Sequence, residues 1–144
     1  MFTKLKVSLT HYLTFIDSIN LPFRMERFYV YMLTNWSKTV LYTGYTNNLS
    51  RRLIEHQSVE SKFTSKYNCF YCVYYEEFQS FEDVYGREHQ IKRWSRKKKE
   101  WLISRFNPEK IFINDMIHNP YGHTVDTSKL NFEFVELLSF EEKE

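Results

Sequence analysis

Apolar and polar positions change period several times along this chain, and the changes mark its elements. Phe28 to Leu33 reads FYVYML, an aromatic and β-branched run that predicts a strand. Thr34 to Thr39 is polar, and Val40 to Tyr45 predicts a second strand, so the two form an antiparallel hairpin. Alternation puts Tyr29 and Tyr31 on one face of the first strand, and Tyr42 and Gly44 on a common face of the second. Gly44 permits close approach of backbone or ligand. After Tyr45 the period becomes helical. Asn47, Asn48 and Ser50 are capping residues, and Leu49, Leu53 and Ile54 supply the buried side of a helix on which Arg52 and His56 share a face. Gln57 to Asn68 reads as a loop and Cys69 to Glu76 as a third strand.

Ser80 opens the next helix, with Asp83 as its capping partner and Phe81, Val84, Tyr85, Ile91 and Trp94 on its apolar side. Glu88 projects from that stripe, where a carboxylate is costly unless a cation, a metal or a hydrogen-bond donor compensates it. Lys92 to Lys99 carries six cations in eight residues; Trp94, Trp101 and Leu102 give it an apolar side, so it reads as ordered helix ending at Asn107-Pro108. The predicted architecture is a small α/β domain, a three-stranded antiparallel sheet flanked by helices.

The ends are less regular. Residues 1–25 hold a weakly apolar run, but Thr10, His11 and Thr14 interrupt it and Asp17 follows, which argues against a secretory signal. An accessory helix, an unordered leader and a start at Met25 are the readings left. His118 to His123 is turn-rich, and Asn131 to Phe140 alternates apolar and acidic residues. That acidic segment is expected to dock on the core, pair with another chain, or shield a basic face, in which case deleting everything after Ile117 should strengthen the binding of a polyanion to that face.

Composition narrows the class. A mean hydropathy of −0.55 and the lack of a run near the roughly 20 apolar residues needed to span a bilayer argue against a membrane protein. The net charge of +2 hides an asymmetry. Phe28 to Lys110 holds 14 Lys+Arg against 9 Asp+Glu, whereas Ile111 to Glu144 holds 2 against 7. A basic centre is the electrostatic footprint expected of a nucleic-acid binder. Lys62, Phe63, Lys66 and Tyr67 interleave aromatics with cations, suited either to a base and phosphate or to a loop covering the core. Lys92, Arg93, Arg96, Lys97 and Lys98 suit backbone phosphates, which position a nucleic acid without reading its sequence. Cys69 and Cys72 are the only cysteines; without further ligands they read as two reduced thiols of a cytoplasmic protein rather than a zinc site.

FYVYML, LYTGYTNNLSRRLIEH and GREHQIKRWSRKKKEWL occur in an order and at distances that resemble the GIY-YIG nuclease superfamily, in particular its small single-domain bacterial branch, the YhbQ-like proteins. The resemblance covers residues 26–115, leaving 1–25 and 116–144 as extensions. Tyr31 falls on the tyrosine of GIY and Tyr42-Thr43-Gly44 on YIG; Val30 and Thr43 depart from the motif's spelling. The resemblance implies a metal-dependent endonuclease acting on DNA, branched or single-stranded forms included, in roles such as DNA repair. It implies Tyr31 or Tyr42 orienting or deprotonating water, Arg52 holding phosphate, Glu88 binding Mg²⁺ or Mn²⁺, and His56 moving a proton or touching phosphate. Gly44 and Asn107 would support the site. Against these stand a surface histidine at 56, a helix stop at Asn107, and strand packing for the tyrosines. A nucleic-acid-binding module without turnover and a structural protein whose basic helix meets an acidic partner are the rival functions.

Overall fold

The computed structural model describes residues 26–58 and 62–141. The expectations for residues 1–25 lie outside the described residues. Strands β1 (Phe28–Thr34), β2 (Leu41–Thr46) and β3 (Tyr71–Phe78) form one antiparallel sheet in the order β2-β1-β3. The first two make the expected hairpin, with Tyr31 opposite Gly44 and Leu33 opposite Tyr42. Asn35 shapes its loop by accepting at Oδ1 from the backbone N–H groups of Thr39 (2.8 Å) and Val40 (3.1 Å). β1 is central, which explains its burial: Val30, Tyr31, Met32 and Leu33 have no exposed surface.

Six helices follow. They are α1 (Leu49–Gln57), α2 (Lys62–Tyr67), α3 (Phe81–Lys92), α4 (Arg96–Phe106), α5 (Asn114–His118) and α6 (Phe132–Glu141), with a 3₁₀ turn at Thr127–Lys129. Asn48, Ser80 and Ser95 cap α1, α3 and α4, each side chain accepting from a backbone N–H three residues on. Three sequence expectations are corrected. The loop placed at Gln57–Asn68 contains α2, which ends where Asn68 turns left-handed at φ 53°, a conformation asparagine tolerates. The third strand starts two residues later than expected, leaving Cys69 outside it. The basic run does not continue α3: Ser95 starts a new helix there, because its hydroxyl offers the Lys98 N–H a partner. The acidic segment, left without an assigned element by the sequence, forms α6.

That last helix docks. Phe132 packs on Phe106, and Phe134 meets Trp101 and the Arg105 guanidinium. Leu130 is buried, and the Asn131 N–H donates to the Phe106 carbonyl at 2.8 Å. On the sheet face carrying Phe28 and Tyr45, α3 lays Phe81 and Tyr85. There Arg87 and Glu76, both almost fully buried, form a bidentate ion pair at 2.9–3.0 Å, and the Tyr74 hydroxyl donates to the same carboxylate. A buried charge pair persists when its lone pairs and protons are satisfied, as they are here.

Candidate active site

The opposite face of the sheet carries the phenols. Tyr31 has no exposed surface, and its hydroxyl lies 2.6 Å from His56 Nε2. His56 Nδ1 lies 3.0 Å from Thr64 Oγ1 on α2, and that hydroxyl in turn reaches the His56 carbonyl at 3.4 Å. One assignment satisfies all three contacts: Tyr31 donates to Nε2, Nδ1–H donates to Thr64, and Thr64 donates to the backbone. The imidazole is then neutral. Burial, reinforced by the Arg52 charge and only partly opposed by Glu55, pulls the His56 pKa from 6.5 down to about 4. His56 is therefore a buried base and not the surface histidine that the sequence left open.

Arg52 stands one turn before His56. Its guanidinium donates to Glu55 at 2.9 Å. Burial works against its charge, but Glu55 and then the neighbouring Tyr31 outweigh that effect and hold its pKa above the ordinary arginine value. The side chain keeps 34% of its surface exposed, so the charge is open to a ligand. Burial and the neighbouring Tyr42 push the Tyr31 pKa up, against the pull of Arg52. The resting phenol is protonated. Tyr42 is half-buried, its ring 4.9 Å from His56, 6.3 Å from Tyr31 and 5.9 Å from Phe63.

Gly44 explains how the two phenols fit. A Cβ built there would lie 2.6 Å from the Tyr31 hydroxyl oxygen, 2.8 Å from Cζ and 3.0 Å from a Tyr42 ring carbon. Its backbone has no positive φ, so the glycine is required by space alone. The Tyr31 ring occupies the volume of the missing side chain.

Glu88 stands apart from this cluster among the described contacts. It is 2% exposed, one carboxylate oxygen is ion-paired with Lys92, and the other lies 3.0 Å from His89 Nδ1. That nitrogen also lies 2.9 Å from the Tyr85 carbonyl, which takes its proton, so Glu88 Oε2 is buried without a hydrogen bond. Since Tyr45 and Tyr42 point to opposite faces, the helix bearing Glu88 covers the face away from the phenols. Among the described residues no group of three or more His, Cys, Asp or Glu is assembled for a cation. The single orphaned oxygen of Glu88 is a hard ligand of the kind Mg²⁺ accepts, but it is buried and lies on the face away from Tyr31 and Arg52, so it does not place an ion at that cluster.

The remaining predicted residues divide by what already engages them. Arg96 is held by Glu100 and by the Lys38 and Thr39 carbonyls, and Lys98 lies 4.1 Å over the Trp94 ring. Lys92 is on Glu88, while Lys62, Arg93 and Lys97 are exposed. Burial and then the nearby Lys92 and Arg96 charges lower the Lys99 pKa, a sign of crowded cations. Asn107 is fully buried and its amide serves the backbone: Nδ2 donates to Val73 and Ile111, and Oδ1 accepts from Ile111. Asn114 does the same for Phe70 and Cys72. Sequence reasoning gave no role to Thr64, Asn114 or the Glu76–Arg87 pair. Of these Thr64 alone left a trace, eight residues after His56 in a stretch rich in aromatics and lysines.

The family described as "GIY-YIG catalytic domain" matches residues 27–100. A UPF0213 protein of Syntrophus aciditrophicus is 42% identical over 89 residues, covering 60% of this chain and all of that protein. One from Natronomonas pharaonis is 44% identical over 77 residues, covering 53% of this chain and 89% of its own length. The solution NMR structure of a UPF0213 protein from Bacillus halodurans is 30% identical and covers 68% of this chain and 99% of that one, at a TM-score of 0.38. The span of the matched domain includes every phenol, base and cation of the cluster around Tyr31, and the chain belongs to the GIY-YIG family, whose nuclease-type domain it carries.

Proposed function

We propose that the protein is an endonuclease that hydrolyses phosphodiesters in DNA with the help of a divalent cation. The observation that carries this reading is the buried 2.6 Å contact between Tyr31 and a neutral His56, beside a partly exposed arginine. Arg52 binds the phosphate, because a guanidinium held by Glu55 beside Tyr31 needs little reorganisation to meet charge growing on phosphoryl oxygens. Tyr31 has no surface, so it fixes Arg52 and His56 in place. Tyr42, at the solvent side of the same rings, orients the attacking water. His56, neutral at pH 7, accepts the hydrogen bond of the Tyr31 phenol and so fixes that ring beside Tyr42 and Arg52, and Thr64 keeps the accepting nitrogen turned toward Tyr31. Glu88 carries the orphaned oxygen that would suit Mg²⁺ or Mn²⁺, but it is paired with Lys92 on the helix covering the other sheet face. A cation serving the phosphate on Arg52 would therefore be held by substrate phosphates and water, and would supply positive charge to a phosphoryl or leaving oxygen.

The test is incubation of labelled single-stranded, duplex and branched DNA with Mg²⁺ or Mn²⁺, alongside Arg52→Ala, His56→Ala and Glu88→Ala proteins shown to be folded. Cleavage should need the cation and fall by at least about a hundredfold in Arg52→Ala. Full activity in Arg52→Ala and His56→Ala would refute the reading. Full activity in Glu88→Ala alone would leave that carboxylate as the partner of Lys92 and remove it from the reaction. A DNA-binding module without turnover is favoured if the wild-type protein binds DNA and no cation yields product.

A further inference from the structure

Helix α2 partitions its residues the wrong way round for a helix serving the core. Its buried residue is Thr64, which holds His56, while Phe63 and Tyr67 stand 45% and 40% exposed. Aromatic rings ordinarily go inside and threonines outside. The two rings touch, with centroids 4.8 Å apart, and Phe63 continues the line to Tyr42 at 5.9 Å. On α2 itself the charge has one sign: Lys62 is exposed, Lys66 Nζ lies 5.2 Å over the Tyr67 ring, and the helix contains no acidic residue. An apolar peptide would gain nothing from those lysines, whereas a polyanion with flat bases uses both features.

We propose that Phe63 and Tyr67 form a stacking seat for one unpaired nucleobase, flanked by Lys62 and Lys66 on its phosphates. The seat adjoins the Arg52 phosphate anchor through Tyr42, so this inference rests on that anchor and names its substrate. In a paired duplex both faces of every base are covered by neighbours, and presenting one to the rings costs a few kcal/mol of unstacking. A single strand or a flap presents a base face without that cost. The site therefore takes nucleic acid with an unpaired nucleotide beside the cleaved phosphate in preference to continuous duplex.

The experiment measures binding without divalent cation, by fluorescence anisotropy of a labelled oligothymidylate and of a blunt duplex of equal length at one salt concentration. Full-length wild-type, Phe63→Leu and Tyr67→Leu proteins are compared after their folding is checked by circular dichroism. Losing a ring should weaken single-strand binding about tenfold and leave duplex binding unchanged. Equal losses on both ligands, or none, overturn the proposal. Phe63→Trp keeps a ring and adds a reporter: its emission should be quenched by the single strand and not by the duplex, and unquenched emission at saturation also overturns it. The nuclease reading fails separately. Ring-dependent single-strand binding with no cation-dependent product sinks catalysis and spares the seat, whereas cleavage blind to strand pairing does the reverse.

Discussion

Replacing Gly44 by alanine tests the central geometric feature of the site, the Tyr31 ring lying in the space of a missing side chain. The added Cβ would meet the Tyr31 hydroxyl oxygen and Cζ at 2.6 and 2.8 Å, and a Tyr42 carbon at 3.0 Å. Ordinary carbon contacts lie at about 3.5–4.0 Å, so roughly 1 Å of overlap must be relieved against a ring with no free surface. Overpacking of this kind costs about 1–3 kcal/mol. Moving Tyr31 by that amount also breaks its 2.6 Å contact with His56, and a buried imidazole nitrogen left unpaired costs about 1–3 kcal/mol more. The reduced entropy of the unfolded alanine chain returns about 0.4–1 kcal/mol. The net loss is about 2–4 kcal/mol, a fall of about 1–2 M in the urea midpoint. Gly86→Ala is the matched control. Nothing lies within 4 Å of a Cβ there, in the middle of an exposed helical turn, so that change should stabilise by about 0.5–1 kcal/mol. A Gly44→Ala protein within about 0.5 kcal/mol of wild type would refute the packing account, since surface changes normally stay inside that range.

The pH dependence of stability should report His56. Its folded pKa of about 4 lies below the ordinary 6.5, so the unfolded chain binds the extra proton between those values; its contribution is complete above pH 6.5 and lost as pH falls toward 4, by roughly 2–3 kcal/mol. Carboxylates with lowered pKa values, such as Glu55 and Glu100, begin to cost only below about 4.5. A urea series from pH 7 to pH 5 should therefore show a slope in wild type that His56→Gln lacks, and identical slopes would contradict the buried neutral imidazole. Glu76→Leu takes the carboxylate away from the buried Arg87 guanidinium and should cost about 3–5 kcal/mol in chemical unfolding, with Glu76→Leu/Arg87→Leu recovering much of it. Asn107→Ala removes three buried backbone contacts and should cost about 2–4 kcal/mol, with faster amide exchange at Ile111 as the local readout.

Much of the hairpin and first helix was legible because short-range physics governs them. Period-two alternation fixed which tyrosines share a face with Gly44, and side-chain acceptors at Asn48 and Ser80 set helix starts within a residue or so. Helix α2 was missed because six residues with an inverted apolar pattern carry no amphipathic signal, and its one inward group is a threonine. The break at Ser95 was missed because charge density says nothing about where a helix is re-capped. The docking of α6 was one of three readings the acidic segment allowed. Phe106 settled it, since its ring and its backbone carbonyl both meet residues of that region.

The sequence by itself determined the order of elements, the basic middle and acidic end, and the set of phenols, guanidinium and imidazole from which a site is built. These follow from local periodicity and side-chain chemistry, which act over a few residues. Only the tertiary structure decided which of those groups act on one another: that His56 is neutral and buried against Tyr31, that Thr64 holds it, and that Glu88 belongs with Lys92 on the helix covering the other sheet face. Protonation and pairing depend on desolvation and on distances between residues remote along the chain. Those quantities come into existence only when strands and helices pack.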